Sequence, residues 1–287
     1  MPSFAYAARY KYTDTVTQND NLLRISAYHD AYQTPLMSAI TTEPPSTPMD
    51  FRDSYGNPTH HVRLTSPHRE LTILSIGKAL LKSPPSPSDV SLKSIEYDAT
   101  ARGFLAPSPL VTPGRVSDTA TQIAGNCQGL LETVGAIVDW VYTNITYERG
   151  LTSVATSAEH VLETQKGVCQ DMTHLAIALL RSLGVPTRYV SGLLTAQAGE
   201  THAWIEFLHP SLGWLPADPT RGHRLAKDAD LIKFALGMDY THASPVEGTF
   251  VSSGTGHLDV AIGKVTPDDT TPSFQDALAL IQTPPSG

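Results

Sequence analysis

Gly167-Val168-Cys169-Gln170-Asp171-Met172-Thr173-His174-Leu175-Ala176-Ile177-Ala178-Leu179-Leu180-Arg181-Ser182-Leu183-Gly184-Val185-Pro186 is the most informative run of this chain. Met172, Leu175, Ala176, Leu179, Leu180 and Leu183 recur at helical spacing and form one apolar stripe. Gly184 and then Pro186 end the helix, since glycine accepts the left-handed closing conformation and proline cannot extend the ladder. Cys169 stands three residues before Met172, at the first turn and on the line of the stripe. Unpaired backbone N–H groups and the positive end of the helix dipole stabilise a thiolate there. The thiolate is the nucleophilic form of cysteine. Gly167 permits a tight turn or the close approach of a substrate backbone.

Downstream, Arg188–Leu194, Thr201–Leu208 and Gly213–Ala217 read as strands. His202 opens the second of them, 33 residues after Cys169, and Asp218 follows the third, another 16 residues on. His209-Pro210-Ser211-Leu212-Gly213 is the turn of a hairpin that sets His202 and Asp218 side by side. A thiol nucleophile needs an imidazole to take and return a proton, and the imidazole needs a carboxylate to hold its tautomer. By spacing alone, a buried inert cysteine and a structural histidine satisfy the same pattern. Asp171 suits the helix dipole but opposes ionisation of a thiol two residues away, so its role stays open.

Upstream, Ile123, Cys127, Leu130, Leu131, Val134, Ile137, Val138 and Val141 predict a single helix beginning at Ser117 or Asp118, with Cys127 buried in its middle. Phe4, Tyr6, Ala8, Tyr10 and Tyr12 alternate as in a half-buried strand. Leu22–Tyr28, His60–Leu64 and Leu71–Ile76 are further candidates, with turns at 55–58 and 66–68. Short strands separated by turns predict a small antiparallel β-sandwich. The expected organisation is a sandwich over residues 1–82, a Pro/Ser-rich linker over 83–115 and a catalytic region over 116–265. Residues 266–287 are expected to be a largely disordered tail with a possible short helix at Phe274–Ile281. The fold class is α+β.

Several blocks also resemble a known family. They are Gly167-Val168-Cys169-Gln170-Asp171, Leu183-Gly184-Val185-Pro186-Thr187-Arg188-Tyr189-Val190-Ser191-Gly192, His202-Ala203-Trp204-Ile205-Glu206, Gly213-Trp214 and Asp218-Pro219-Thr220. In order and spacing they are similar to the transglutaminase-like superfamily, and within it to the bacterial cysteine-protease branch with an extra N-terminal β domain. Thr152–Glu163 and Asp53-Ser54-Tyr55-Gly56-Asn57 fit that branch too, and the resemblance spans roughly residues 1–265. It implies a papain-like core, a cysteine-bearing helix packed on an antiparallel sheet. It also implies Cys169 as nucleophile, His202 as base and acid, and Asp218 as the group that orients the imidazole. The family includes cross-linking transglutaminases, peptidases and amidases, so it fixes the chemistry better than the substrate.

The expected function is therefore thiol-dependent acyl transfer, as a cysteine peptidase or amidase working through an acyl-thioester. The alternatives are a protein-glutamine gamma-glutamyltransferase and a catalytically retired scaffold whose β domain binds a partner. The backbone N–H of Cys169 is a natural oxyanion donor. Gln165 is a weak candidate for the second donor. Trp204 and Trp214 share a face with His202 and Asp218 by period-two counting, where they either shield an acyl-enzyme or simply pack. After the helix and one strand are subtracted, only Thr195–Glu200 remains between Cys169 and His202. A loop that short does not wall a second channel for an amine, which favours hydrolysis.

The 287 residues carry 20 basic and 28 acidic side chains, a net charge of −8, with no Lys/Arg cluster. That balance argues against nucleic acid or an anionic membrane as partner. No apolar run reaches the ~18 residues of a membrane span, and Met1–Tyr12 has no apolar signal core. Cys127 and Cys169 make neither a disulfide framework nor a CxxC pair. A cytoplasmic, reducing setting is expected. His60, His61 and His68 read as strand surface, and His202, His209 and His223 lack zinc-motif spacing. No cofactor and no metal are expected. The expected partner is a peptide, a protein or a small amide as substrate, and the oligomeric state is left open.

Overall fold

The computed structural model describes residues 1–287 except 85, 152, 196–198, 200, 227–230, 267 and 283–287. Thr152, much of the Thr195–Glu200 loop and the end of the tail thus lie outside the described residues. Strands β1 (Ser3–Val16), β2 (Gln18–Leu23), β3 (Gln33–Glu43), β4 (Met49–Arg52), β5 (Pro58–Leu64) and β6 (His68–Leu81) come first. Then follow α1 (Ala99–Gly103), α2 (Ser117–Ala124), α3 (Leu130–Asn144), β7 (Thr146–Tyr147), α4 (Ala158–Thr164), β8 (Lys166–Gly167) and α5 (Cys169–Ser182). The chain continues through β9 (Thr187–Leu194), β10 (His202–His209), β11 (Gly213–Ala217), β12 (Leu231–Gly237), α6 (Tyr240–Ala243), β13 (Val246–Val251), β14 (Gly256–Thr266) and α7 (Phe274–Gln282).

The core that positions the site is an antiparallel sheet in the order β11-β10-β9-β12, with α5 packed on one face. Alternate residues of β10 (Ala203, Ile205 and Phe207) meet the stripe of α5 in one buried cluster that also holds Leu175, Ala176 and Leu179. Trp204 points to the opposite face, where it packs with Val190, Leu231 and Leu236. This is the α+β arrangement expected from the sequence, a cysteine-bearing helix on an antiparallel sheet preceded by a β-sandwich.

The sandwich is built from two sheets, β14-β1-β6-β3 and β13-β2-β5-β4. Tyr6, Ala8, Leu71 and Ile73 of the first meet Leu23, Val62 and Leu64 of the second. The early part of β1 is buried on both faces rather than half-buried, because α7 lays Ala277 and Ile281 over Ala5, Ala7, Leu74 and Ile76. Phe274–Gln282 is thus a packed helix, matching the short helix read at Phe274–Ile281 inside a tail otherwise expected to be largely disordered. The two late strands join the first ones: β14 pairs with β1 and β13 with β2. The expectation grouped residues up to 265 with the catalytic region. Without these strands, β1 and β2 would each present an unpaired edge.

One expected helix is two. Gly125 turns at φ 50° between α2 and α3, which leaves Cys127 in the connection and half-buried rather than mid-helix. The start of α3 is held from the linker, where the Asp89 carboxylate accepts the N–H groups of Leu131 (2.8 Å) and Glu132 (3.1 Å). Leu92 N–H also donates to Gln128 O at 2.9 Å, so the Pro/Ser-rich segment drapes over the core here.

Candidate active site

Cys169 is the first residue of α5, and Val168 is its N-cap. Valine offers no side-chain acceptor to the first turn, but Asp171 at the third helical position closes back on the cap: its Oδ2 accepts the Val168 N–H at 2.8 Å. Asp171 is fully buried. A Cβ on residue 167 would lie 2.6 Å from the Asp171 Cβ, so glycine is required there. The two residues flanking the thiol thus have one joint task, to fix the turn that places it.

The β10–β11 hairpin pairs Ile205 with Ala217, and Asp218 follows directly after the last residue of β11. His202 Nε2 and Asp218 Oδ2 lie 2.8 Å apart, with His202 buried and Asp218 fully so. Cys169 lines the same cavity as His202, and its side chain favours the charged form of the imidazole. With Nε2 on the carboxylate, Nδ1 is the nitrogen available to the thiol. The structure brings the three sequence-predicted residues together.

Arg221 was not anticipated. Its Nε donates to Asp218 Oδ2 at 2.6 Å, while Asp218 Oδ1 accepts the backbone N–H groups of Thr220 (3.0 Å) and Arg221 (3.2 Å). Asp218 and His223 also exchange backbone hydrogen bonds of 2.8 and 2.9 Å, which closes the loop beneath the carboxylate. Burial opposes charge on both partners, yet the pair overcomes it. Burial pushes the His202 imidazole down, but hydrogen bonds to Asp218 and Cys169 and their negative charges lift it from 6.5 to about 9. Burial likewise raises the Asp218 carboxyl, but His202 and Arg221 more than reverse this and hold it below its ordinary value. Both directions describe an imidazolium–carboxylate pair at neutral pH.

Cys169 and His202 open onto a cavity of about 690 Å³. Tyr189, Thr201 and Tyr240 also line it, and the opposite wall is strand β14 of the sandwich, through Leu258, Asp259, Ala261 and Ile262. That wall is 40 and more residues past Asp218 in sequence and carries no local signal of its role.

The structure places the three weaker candidates away from the thiol's immediate surroundings or in ordinary packing. Gln165 is exposed at the C-cap of α4, in a left-handed conformation (φ 53°), and is not among the residues lining the cavity. Its carbonyl accepts the Thr146 N–H at 2.8 Å, so its position serves the β7–β8 contact. Trp204 is buried behind the sheet, its ring stacked on the far side of His202 (centroids 6.3 Å apart, planes 22°). Trp214 pairs with Leu208, six residues along β10 from His202, which is roughly 20 Å of strand. It packs against Phe104 and under the Arg188 guanidinium, 4.3 Å from the ring centre. Period-two counting gives the face of a strand but not the distance along it.

Three histidines of the sandwich, His60, His61 and His68, are hydrogen-bonded rather than merely solvated. His60 meets Asp50 and Ser26, both at 2.7 Å, His61 meets Asp20, and His68 is buried against Asn19. Among the described residues, no group of three or more His, Cys, Asp or Glu side chains is placed to hold a metal ion.

The family model for the transglutaminase-like superfamily matches residues 117–219, and that for the bacterial transglutaminase-like N-terminal region matches residues 4–79. An uncharacterized Mycobacterium leprae protein is 29% identical over 273 residues, covering 90% of this chain and 95% of its own length. A protein-glutamine gamma-glutamyltransferase of Pseudomonas aeruginosa is 32% identical over 73 residues, 22% of this chain and 11% of that protein. The crystal structure of a candidate cysteine protease from Cytophaga hutchinsonii superposes with a TM-score of 0.78 at 22% identity, covering 95% of this chain and 92% of that one. At that identity the likeness concerns the fold.

Proposed function

The chain belongs to the transglutaminase-like superfamily, and from that premise we propose that it is a thiol-dependent acyl-transfer enzyme that hydrolyses amide bonds. The observation that carries the reading is the buried His202–Asp218 pair on the same large cavity as Cys169, which stands at the start of α5.

In this mechanism the Cys169 thiolate attacks the carbonyl carbon of the substrate. A C–S bond forms and the carbonyl oxygen takes the negative charge, facing the Cys169 backbone N–H at the helix start. The imidazolium gives its Nδ1 proton to the departing amine nitrogen as the C–N bond breaks, which leaves an acyl-thioester and a neutral imidazole. Water then attacks the thioester and passes its proton to Nδ1. The acid leaves, and thiolate and imidazolium are restored. Asp218 holds the Nε2–H throughout, so Nδ1 is the nitrogen that cycles. Arg221 keeps the carboxylate charged and fixed. The substrate is a peptide, a protein or a small amide.

A second reading replaces water with a primary amine, and one observation favours it. An amine acceptor needs a wall opposite the thiol, and β14 lines the cavity through Leu258, Asp259, Ala261 and Ile262. The test is turnover of an activated acyl ester in the presence of a labelled primary amine. Free acid is expected to dominate at millimolar amine, and all turnover is expected to vanish in Cys169→Ala. Predominant amide product would transfer the assignment to the amine reading. Turnover equal in Cys169→Ala would remove both.

A further inference from the structure

β14 is an edge strand: its sheet runs β14-β1-β6-β3, and its outer side faces the catalytic core. That outer edge is pinned at one point. Gly199 and Gly263 exchange backbone hydrogen bonds of 2.8 and 2.5 Å. A Cβ at 263 would meet the Leu193 side chain at 2.2 Å, so the edge lies hard against β9 there. In an antiparallel strand the hydrogen-bonding direction alternates residue by residue. Gly263 points outward, so Ile262 points back to its partner Ala7, and Ala261 points outward again; the register with β1 is unbroken over these residues. Ala261 and Ile262 line the cavity that holds Cys169 and His202, as does Thr201. From Ala261 onward, therefore, the edge leaves the core and opens onto the cavity. Its regular part ends where the register shifts near Asp259, whose carboxylate is bound by Arg9 (2.6 Å) and Lys11 (3.3 Å). The wall's acid is thus neutralised, and what it offers a substrate is backbone.

We propose that this edge is the substrate-docking site, and that the substrate is an extended polypeptide that adds a strand to β14, pairing with the N–H and C=O of Ala261 and carrying its reacting carbonyl to Cys169. An added strand lies about 4.8 Å from its neighbour, which sets it between β14 and the Thr201–His202 segment. Main-chain pairing supplies affinity without a sequence requirement, as in other edge-strand peptide complexes. The sandwich then has a catalytic task, since one of its strands is half of the groove. This assignment rests on the thiol chemistry proposed above.

The test uses two alkylating probes with the same reactive group, acetyl-tetraalanyl chloromethyl ketone and chloroacetone. Each forms a C–S bond to Cys169 and releases chloride, and the ratio of their second-order rates at Cys169 measures peptide docking. The wild-type ratio is expected to exceed ten. Ala261→Pro removes an outward N–H, a place where an edge strand tolerates proline, and should lower the ratio roughly five- to tenfold, the worth of a hydrogen bond. N-methylation of successive probe nitrogens should reduce the rate at alternate positions only, a period that a side-chain pocket would not produce; this arm needs no protein variant. A wild-type ratio near one, an unchanged ratio in Ala261→Pro, or uniform sensitivity to N-methylation would each overturn the docking mode. Cys169 inert to both probes would instead remove the underlying thiol chemistry, and the proposal with it.

Discussion

Asp218 accepts four hydrogen bonds on two oxygens while fully buried, so its carboxylate is the most constrained group of the site. An asparagine there keeps the shape but offers the imidazole an amide in place of a charge. Asp218→Asn is expected to preserve the far-UV circular dichroism spectrum and to lower kcat by about two to four orders of magnitude, through loss of the tautomer lock. Near-normal turnover would remove Asp218 from the mechanism. The raised His202 value makes a second prediction. A group whose folded value of about 9 exceeds its usual 6.5 binds its proton more tightly when folded. Its stabilisation is full below pH ~6.5 and fades as pH rises through about 9. The stability difference between wild type and His202→Gln should therefore shrink between pH 6 and pH 10 in urea titrations, and a constant difference would contradict the charged pair. The three residues themselves were legible, because a helix start and two strand ends have local signatures. Arg221 was not, since an ion pair made across a turn leaves no periodic trace.

At the scale of elements, the register of α5 depends on Asp171 fitting over Gly167. Gly167→Ala places a Cβ 2.6 Å from that of Asp171, and the cap on Val168 must give way. Overpacking of this kind costs typically about 1–3 kcal/mol, measurable as a fall in the denaturant midpoint. Iodoacetamide labelling of Cys169 should slow in the same variant, because the thiol loses its place at the helix start. Unaltered stability would mean that the turn adapts. The sequence stripe located α5 with Cys169 in its first turn, yet the same reasoning fused α2 with α3. The difference lies in what ends each helix. Gly184-Val185-Pro186 is a local stop, whereas the start of α3 is capped by Asp89, 40 residues upstream of Gly129. A cap from a distant segment has no counterpart in hydrophobic spacing.

For the whole molecule, the first strands of the sandwich are completed by strands that follow the catalytic sheet. The early strands were readable from turns and alternation, but the pairing of β1 with β14 and of β2 with β13 spans more than 220 residues and is set by tertiary packing alone. A fragment of residues 1–82 lacks an outer strand in each sheet and the α7 cover over Ala5 and Ala7. It is expected to show no cooperative thermal transition by circular dichroism, and a sharp transition would mean that the sandwich folds independently. The same topology acquires a temporal meaning while the chain is being made. A ribosome releases Cys169, His202 and Asp218 before it releases Gly256–Thr266, an interval of roughly 2–8 s for 38 residues at typical translation rates. On the proposed chemistry, a nascent copy holds its nucleophile, base and carboxylate but lacks the rail that presents a polypeptide to them.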